Sequence, residues 1–189
     1  MSIDLTKAQI DAALPKVATG LKQYQWLQAN RDASDLRRNV LYRRRFNTFY
    51  RVRRNQAWQN AFYELLEALK LKGKTVSFAE ILDSLFKATG RYEASFTSKL
   101  LATIKPQMPV IDSVVLRNLR LRLPYAGSKE RLNRIQQLHD RLLFCFSTFL
   151  ETENGRYLVR RFRELYGCSD LTEIKMLDLV LWQTRPKKA

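Results

Sequence analysis

Two residues thirteen positions apart, Lys99 and Asp112, offer the most direct chemistry in this sequence. Lys99 lies near the start of a predicted helix, beside an apolar face formed by Phe96, Leu100 and Ile104. Partial desolvation on such a face favours a neutral amine, the nucleophilic form of a lysine side chain. Asp112 lies at the predicted start of the next helix, where a carboxylate accepts hydrogen bonds from backbone N–H groups. The two residues are therefore either a nucleophile with a charge-stabilising carboxylate, or a surface lysine and a helix cap.

The segment that contains both residues, EASFTSKLLATIKPQMPVIDSVVLRNLRLRL over 93–123, predicts a helix, a proline-broken turn and a second helix. Within it, SFTSKLLATI and MPVIDSVVLRNLRLRL resemble the hairpin and the catalytic-aspartate region of the helix-hairpin-helix superfamily of base-excision DNA glycosylases. The resemblance implies an all-helical glycosylase-like fold and a role in DNA repair. It also implies that Lys99 attacks the anomeric carbon of an extruded nucleotide and forms a Schiff base. In the same scheme Asp112 stabilises the developing positive charge, and Arg117 supports the DNA backbone.

The segment departs from the pattern of that superfamily at two points. The family's hairpin is rich in glycine, whereas residues 95–98 of this chain are Ser-Phe-Thr-Ser. The spacing from the lysine to the aspartate is also several residues shorter than is usual in the family. The sequence is therefore compatible with a DNA N-glycosylase or lyase, and also with a protein that keeps the fold without the reaction.

Arginines dominate residues 37–54, which hold eight of them, and no acidic residue occurs between Asp35 and Glu64. We predict one Arg-rich helix over 31–56. Guanidinium groups spaced along a helix suit phosphate recognition. The same pattern is also compatible with an acidic protein partner, an anionic lipid surface or a solvated face. At about 100° per residue, five arginines fall within an arc of about 120°: Arg37, Arg43, Arg44, Arg51 and Arg54.

Further basic residues flank the sequence LPYAGSKER, and a third group follows near residue 160. The whole chain has 34 Lys and Arg against 18 Asp and Glu, a net charge of +16. This excess favours a polyanionic partner. We expect nucleic acid, with DNA favoured over RNA. The two groups are Arg117, Arg120, Arg122, Lys129, Arg131 and Arg134, and then Arg160, Arg161 and Arg163.

The elements that must position these residues are predicted to be helices. Apolar residues recur with helical spacing almost throughout, and no stretch alternates as a strand does. Sequences typical of capping boxes and glycines after apolar stripes mark the helix ends, and Pro15 predicts a break between two short helices. We therefore predict an all-α protein, a single compact domain over 1–189 with eight or nine helices.

Composition argues against several classes of protein. The chain has one histidine, His139, and two cysteines, Cys145 and Cys168, without a CxxC pair. We therefore expect no metal site, cofactor or disulfide framework. No apolar run approaches the roughly 18 residues of a membrane span, and the N-terminal sequence is not typical of a secretory signal. We expect a cytoplasmic protein with no membrane partner and no obligate protein partner.

Three functional hypotheses follow from the sequence. The first is an enzyme of the glycosylase type that acts through Lys99 and Asp112. The second is a non-catalytic module that binds DNA or RNA through phosphate contacts of its Arg-rich helix. The third is an interaction protein for an acidic partner.

Overall fold

The computed structural model describes residues 3–184 of the chain. Over this range the chain forms nine α-helices and one short 3-10 turn, and it has no β-strand. The predicted all-α class and the predicted number of helices are therefore confirmed. The helices are α1 (Lys7–Asn30), α2 (Val40–Tyr50), α3 (Gln56–Lys72), α4 (Phe78–Thr89), α5 (Ala94–Ile104), α6 (Ser113–Asn118), α7 (Arg131–Leu150), α8 (Glu153–Tyr166) and α9 (Glu173–Gln183), with the 3-10 turn at Gly73–Thr75.

The helices belong to two compact units. The central unit comprises Thr19–Lys105, with the second half of α1 and helices α2 to α5. The terminal unit comprises the residues up to Ala18 and those from Pro106 onward, with the first half of α1 and helices α6 to α9. The prediction of a single domain over 1–189 stays a prediction.

Aromatic side chains of α2 and α3 form the core of the central unit. The ring centroid of Phe46 lies 4.7 Å from that of Tyr50, and 5.6 and 5.9 Å from those of Phe62 and Tyr63. All four side chains are buried, and tilted ring pairs at these distances are favourable beyond the area that they bury. This cluster anchors α2 on α3 and leaves the opposite side of α2 exposed to solvent.

Helices α4 and α5 complete the central unit. The Ser77–Glu80 pair forms the predicted capping box at the start of α4, and Gly90 ends that helix in the left-handed region with φ of 70°. Helix α5 packs on α3 and α4. Each of its residues from Thr97 to Ile104 is buried, so α5 is the central helix of the unit rather than a surface element.

The terminal unit is built around α7, α8 and α9, which pack on one another, while α6 packs on α9. The connection from α7 to α8 is tight. A Cβ atom at Gly155, in the first turn of α8, would clash with the carbonyl oxygen of Phe149, so only glycine is compatible with this position. The short turn sets α8 against α7 and buries Leu158 and Phe162 in the core.

The structure corrects the predicted break at Pro15. Helix α1 runs without interruption from Lys7 to Asn30 and contains this proline. The buried side chains of Leu14, Val17 and Leu21 continue the apolar stripe past it, while the proline itself is exposed. Burial of that stripe outweighs the one backbone hydrogen bond that proline removes from a helix.

The predicted helix over 31–56 is also wrong in extent, because only Val40–Tyr50 is helical. Asp35 accepts hydrogen bonds from the backbone N–H of Arg37 through its side chain and from that of Asn39 through its carbonyl. The Asn39 side chain then caps α2 by accepting from the Tyr42 N–H. Side chains of Asp and Asn compete with helical hydrogen bonds in this way, and the turn that they form breaks the predicted helix.

Candidate nucleic-acid interface

The exposed side of α2 carries charge and apolar surface together. Arg44, Arg45 and Thr48 are exposed, and so are Val40 and Leu41, at 77% and 53%. The opposite side of the helix is fixed in the aromatic core. The backbone of α2 is therefore a rigid support for the guanidinium groups.

A shallow groove of about 500 Å³ lies between α2 and the start of α3. Two arginines line it together with amide, hydroxyl and valine side chains, and no carboxylate does. Its lining consists of Val40, Arg43, Arg44, Asn47, Thr48, Val52, Gln56 and Gln59. Such a lining offers many hydrogen-bond donors and no negative charge, which is the composition that a phosphate group requires.

Arg43 is held in place at one side of this groove. Its guanidinium donates to the Arg37 carbonyl at 3.0 Å and to Asn60 Oδ1 at 2.8 Å. It also lies 4.7 Å from the ring centroid of Tyr63. All of these partners are neutral, so Arg43 keeps its full positive charge.

Two of the predicted phosphate-binding arginines, by contrast, already bind carboxylates. Arg37 pairs with Asp35 at 2.7 Å and lies 3.7 Å from Glu64. Its guanidinium holds the pKa of Asp35 at about 2, below the usual range. Arg54 donates to both carboxylate oxygens of Glu93, at 2.9 and 3.0 Å.

The remaining arginines of the segment differ in their surroundings. The Arg45 guanidinium lies 4.1 Å from the ring centroid of Trp26. Arg51 ends α2 in the left-handed region, with φ of 53°. Arg38, Arg44 and Arg53 are exposed, and none of the three guanidinium groups has a hydrogen bond or ion pair to another residue in the described chain. These three are the charges most available to a ligand.

The basic residues of the terminal unit fall into two groups. Near residue 160 the arginines are neutralised, since Arg161 pairs with Glu164 at 2.6 Å and Arg163 with Glu173 at 2.9 Å. The predicted residues Arg117, Arg120 and Lys129 are exposed. Arg117 Nε donates to the Ser113 carbonyl at 3.2 Å, and Arg120 follows Leu119, the C-cap of α6, with φ of 53°.

Lys99 lies in the buried part of α5, in the central unit. The residue is 5% exposed, and its Nζ donates to Ser95 Oγ at 2.9 Å. Nζ also lies 4.8 Å from the ring centroid of Phe96 and 5.9 Å from that of Tyr50. A nucleotide can reach this amine only if the surrounding side chains move.

Asp112 lies in the terminal unit as the N-cap of α6. Its side chain accepts a hydrogen bond of 2.7 Å from the Val114 N–H, so the predicted capping role is confirmed. The predicted helix, turn and second helix over 93–123 correspond to α5, residues 105–112 and α6. The residues that resemble the glycosylase hairpin, 95–98, are helical rather than a loop.

No site for a metal ion is apparent in residues 3–184, since no group of three or more His, Cys, Asp and Glu side chains converges there. Burial lowers the pKa of His139 to about 4, so this imidazole is neutral at pH 7. Cys145 and Cys168 are buried, and neither forms a disulfide in the described chain. None of the helices in that range is long and apolar enough to cross a membrane.

Sequence reasoning missed three residues that the structure singles out. Glu93, the partner of Arg54, follows it by 39 positions, and no local pattern joins them. Arg53 lies outside the predicted arc because that arc assumes a continuous helix. Tyr125 is 82% exposed, and a signal for it was present. It is the only aromatic residue between Phe96 and Phe144, and it lies in a basic loop beside Pro124.

Protein-family models, curated proteins and solved structures give no match to this chain. The likeness to DNA glycosylases therefore depends on residues 93–123 alone.

Proposed function

We propose that the chain binds nucleic acid through phosphate contacts of its central unit, at Arg44 and the α2–α3 groove. The observation that carries the proposal is the groove itself, which has two arginines and no carboxylate in its lining. The net charge of the central unit also favours a polyanionic ligand. The unit has 17 Lys and Arg against seven Asp and Glu, so it carries +10 of the net charge of +16.

The surroundings of Arg43 support phosphate binding in particular. Neutral partners on two sides hold its guanidinium, so little side-chain entropy is lost when an anion binds. Guanidinium forks donate two parallel hydrogen bonds to phosphate oxygens. Each contact also releases condensed counterions from the nucleic acid, so binding weakens steeply as salt rises.

The test is the salt dependence of affinity for a labelled DNA duplex, measured by fluorescence anisotropy. A double variant, Arg44→Ala with Arg53→Ala, removes two of the three exposed arginines that have no hydrogen bond or ion pair to another residue in the described chain. If each contacts one phosphate, the slope of log K against log salt becomes shallower by about 2. Stability should change little, because both side chains are exposed.

A matched double variant, Lys87→Ala with Arg163→Ala, is the control. It lowers the net charge by the same two units but removes cations already paired with Asp83 and Glu173, at 2.7 and 2.9 Å. We expect its slope to equal that of the parent. Equal slopes for the two double variants would contradict the proposal, and so would a parent chain that binds no oligonucleotide. The latter result would favour an acidic protein partner.

A glycosylase reaction is the second proposal, and the surroundings of Lys99 support it. The Lys99 amine lies in a site from which water is largely excluded, since the residue is 5% exposed and Nζ donates to Ser95 Oγ at 2.9 Å, and a Schiff-base reaction requires such an amine as its nucleophile. Borohydride trapping of a covalent complex with DNA that contains damaged bases tests this reaction. Lys99→Gln should abolish trapping, whereas Lys105→Ala, a change one residue beyond the same helix, should not. Equal trapping by Lys99→Gln would remove the nucleophile assignment.

A further inference from the structure

One aromatic side chain of the terminal unit lies almost entirely in solvent. Tyr125 is 82% exposed and lies in residues 119–130, the connection from α6 to α7, which we call the tyrosine loop. It makes no ring–ring or cation–ring contact with another residue of the described chain. The ring of Tyr125 therefore contributes little packing to the fold and is accessible to a ligand.

The backbone that carries this ring is fixed by a turn. A turn closes on Tyr125, whose carbonyl accepts from the Ser128 N–H at 3.0 Å and from Ser128 Oγ at 2.8 Å. Gly127 lies under the ring, since a Cβ atom there would be 3.3 Å from Tyr125 Cε1. The ring therefore projects from a closed turn rather than from a random tail.

Three exposed cationic residues flank Tyr125 in the sequence, and none of them has an acidic partner in the described chain. Burial alternates along the first part of the loop: Leu119 and Leu121 are buried, while Arg120 and Arg122 are exposed. Lys129 is exposed on the other side of the turn. No acidic residue occurs between Asp112 and Glu130, and none of the three cationic groups has an ion pair in the described chain.

We propose that Tyr125 is a stacking platform for an unpaired base of single-stranded DNA, with Arg120, Arg122 and Lys129 on the adjoining phosphates. The proposal rests on the proposed nucleic-acid function and adds a substrate class to it. A base within a duplex has both faces covered by its neighbours, so only an unpaired base offers a face to the ring. The Cα atoms of Arg122 and Tyr125 are at most about 11 Å apart, since three residues span at most about 3.6 Å each. Ring and guanidinium can therefore contact neighbouring parts of one nucleotide strand.

The experiment compares binding of a labelled oligothymidylate with binding of a duplex of equal length, by fluorescence anisotropy. Tyr125→Ala should weaken single-strand binding roughly 5- to 150-fold, the range for loss of one base–aromatic stack. Tyr125→Phe keeps the ring and should stay close to the parent. Duplex affinity should be the same for all three proteins.

Two controls separate stacking from other effects. Phe144→Ala removes another exposed aromatic ring of the terminal unit, at 68% exposure on α7, and should leave single-strand affinity unchanged. A triple variant, Arg120→Ala, Arg122→Ala and Lys129→Ala, should make the single-strand salt slope shallower by about 2, at roughly 0.7 for each phosphate contact. Circular dichroism melts should match the parent for every variant, because all of these side chains are exposed.

The outcomes distinguish this inference from the proposed function. Single-strand binding that is insensitive to Tyr125→Ala overturns the stacking site and leaves the α2–α3 groove standing. Equal losses on single strand and duplex also overturn it. If Tyr125→Ala weakens single-strand binding while Arg44→Ala with Arg53→Ala changes no slope, the stacking site stands and the groove does not. A parent that binds neither probe overturns both.

Discussion

The central and terminal units each carry a basic stretch without acidic residues, at 37–54 and 113–129, yet the structure uses the two stretches differently. In the central unit, arginines of residues 37–54 pair with carboxylates that the surrounding elements supply, Asp35 from a turn and Glu93 from the start of α5. In the tyrosine loop, no side chain of Arg120, Arg122 or Lys129 has a carboxylate partner in the described chain. An acid-free stretch of sequence therefore does not imply acid-free surroundings.

The difference follows from how each segment is packed. Residues 37–54 include α2, whose four aromatic side chains are buried, and the segment reaches carboxylates at both of its ends, from Asp35 in the turn before α2 and from Glu93 at the start of α5. In the tyrosine loop Leu119 and Leu121 are buried, whereas most of the other side chains are exposed to solvent. Part of the charge in the first segment stabilises the fold, whereas the charge of the loop is available to a ligand.

The largest effect that we predict concerns the buried ion pair of the terminal unit. Lys175 Nζ lies 2.6 Å from Asp178 Oδ2 within α9, and the two side chains are 1% and 10% exposed. Asp178→Asn removes the carboxylate that pairs with this buried ammonium, which lowers the free energy of unfolding by about 3–5 kcal/mol. Urea unfolding at pH 7 measures the loss. Because this pair lies outside the tyrosine loop, the single-strand affinity of the folded variant should equal that of the parent.

Asp83→Asn is the matched control for that prediction. It breaks an ion pair of similar helical spacing, Lys87 with Asp83, whose side chains are 75% and 46% exposed. The expected loss is below about 1 kcal/mol, because water replaces an exposed partner. Similar losses for the two variants would show that the α9 pair is not a buried structural element.

An intermediate effect is predicted for Arg54, which the structure assigns to the fold of the central unit. Arg54→Ala leaves the nearly buried Glu93 carboxylate without its guanidinium. The side chain of Arg54 is 33% exposed, so the loss of stability is about 1–3 kcal/mol rather than the full value for a buried pair. The salt slope of duplex binding should not change.

The opposite result is expected for Arg44→Ala, because Arg44 is exposed and forms no ion pair in the described chain. We expect its stability to stay within about 0.5 kcal/mol of the parent, and its salt slope to become shallower by about 0.9. Equal reductions of the salt slope by Arg54→Ala and Arg44→Ala would contradict this expectation. They would show that arginines of the predicted arc contact the nucleic acid whether or not they form an ion pair in the fold.

Much of the fold could be predicted from the sequence because its signals are local. The capping box at Ser77 and the glycines after α4 and α8 predict helix ends that the structure confirms. These signals work because cap geometry involves only a few neighbouring residues. Pro15 was misleading, because an apolar stripe on both sides of it is buried. The segment 31–56 was misleading for the opposite reason, since Asp35 and Asn39 form a turn within a helical pattern.

The candidate sites were less predictable, because they depend on contacts between distant residues. The sequence identifies an arginine-rich segment, but the arginines that stay available are decided by carboxylates up to 39 positions away. Lys99 could be placed beside an apolar face, but not in the centre of the unit, because that position follows from how α5 packs on α3 and α4.

The smallest predicted effect, at Gly127, tests how precisely the tyrosine loop holds its ring. The backbone of Gly127 is outside the left-handed region, so Gly127→Ala should gain about 0.4–1 kcal/mol from reduced entropy of the unfolded chain. The new Cβ would lie 3.3 Å from Tyr125 Cε1, so the ring must shift by a few tenths of an ångström. We expect the net change in unfolding free energy to stay within about 0.5 kcal/mol.

The displaced ring should change the affinity for oligothymidylate even though the free energy of unfolding stays nearly the same. Gly127→Ala should weaken oligothymidylate binding about twofold to threefold, a fraction of the stacking energy of about 1–3 kcal/mol per base. Duplex affinity should be unchanged, and Gly127→Ala combined with Tyr125→Ala should bind no more weakly than Tyr125→Ala alone, because the glycine acts only through the ring. Additive losses in the double variant would show that the loop backbone, rather than the position of Tyr125, governs single-strand binding.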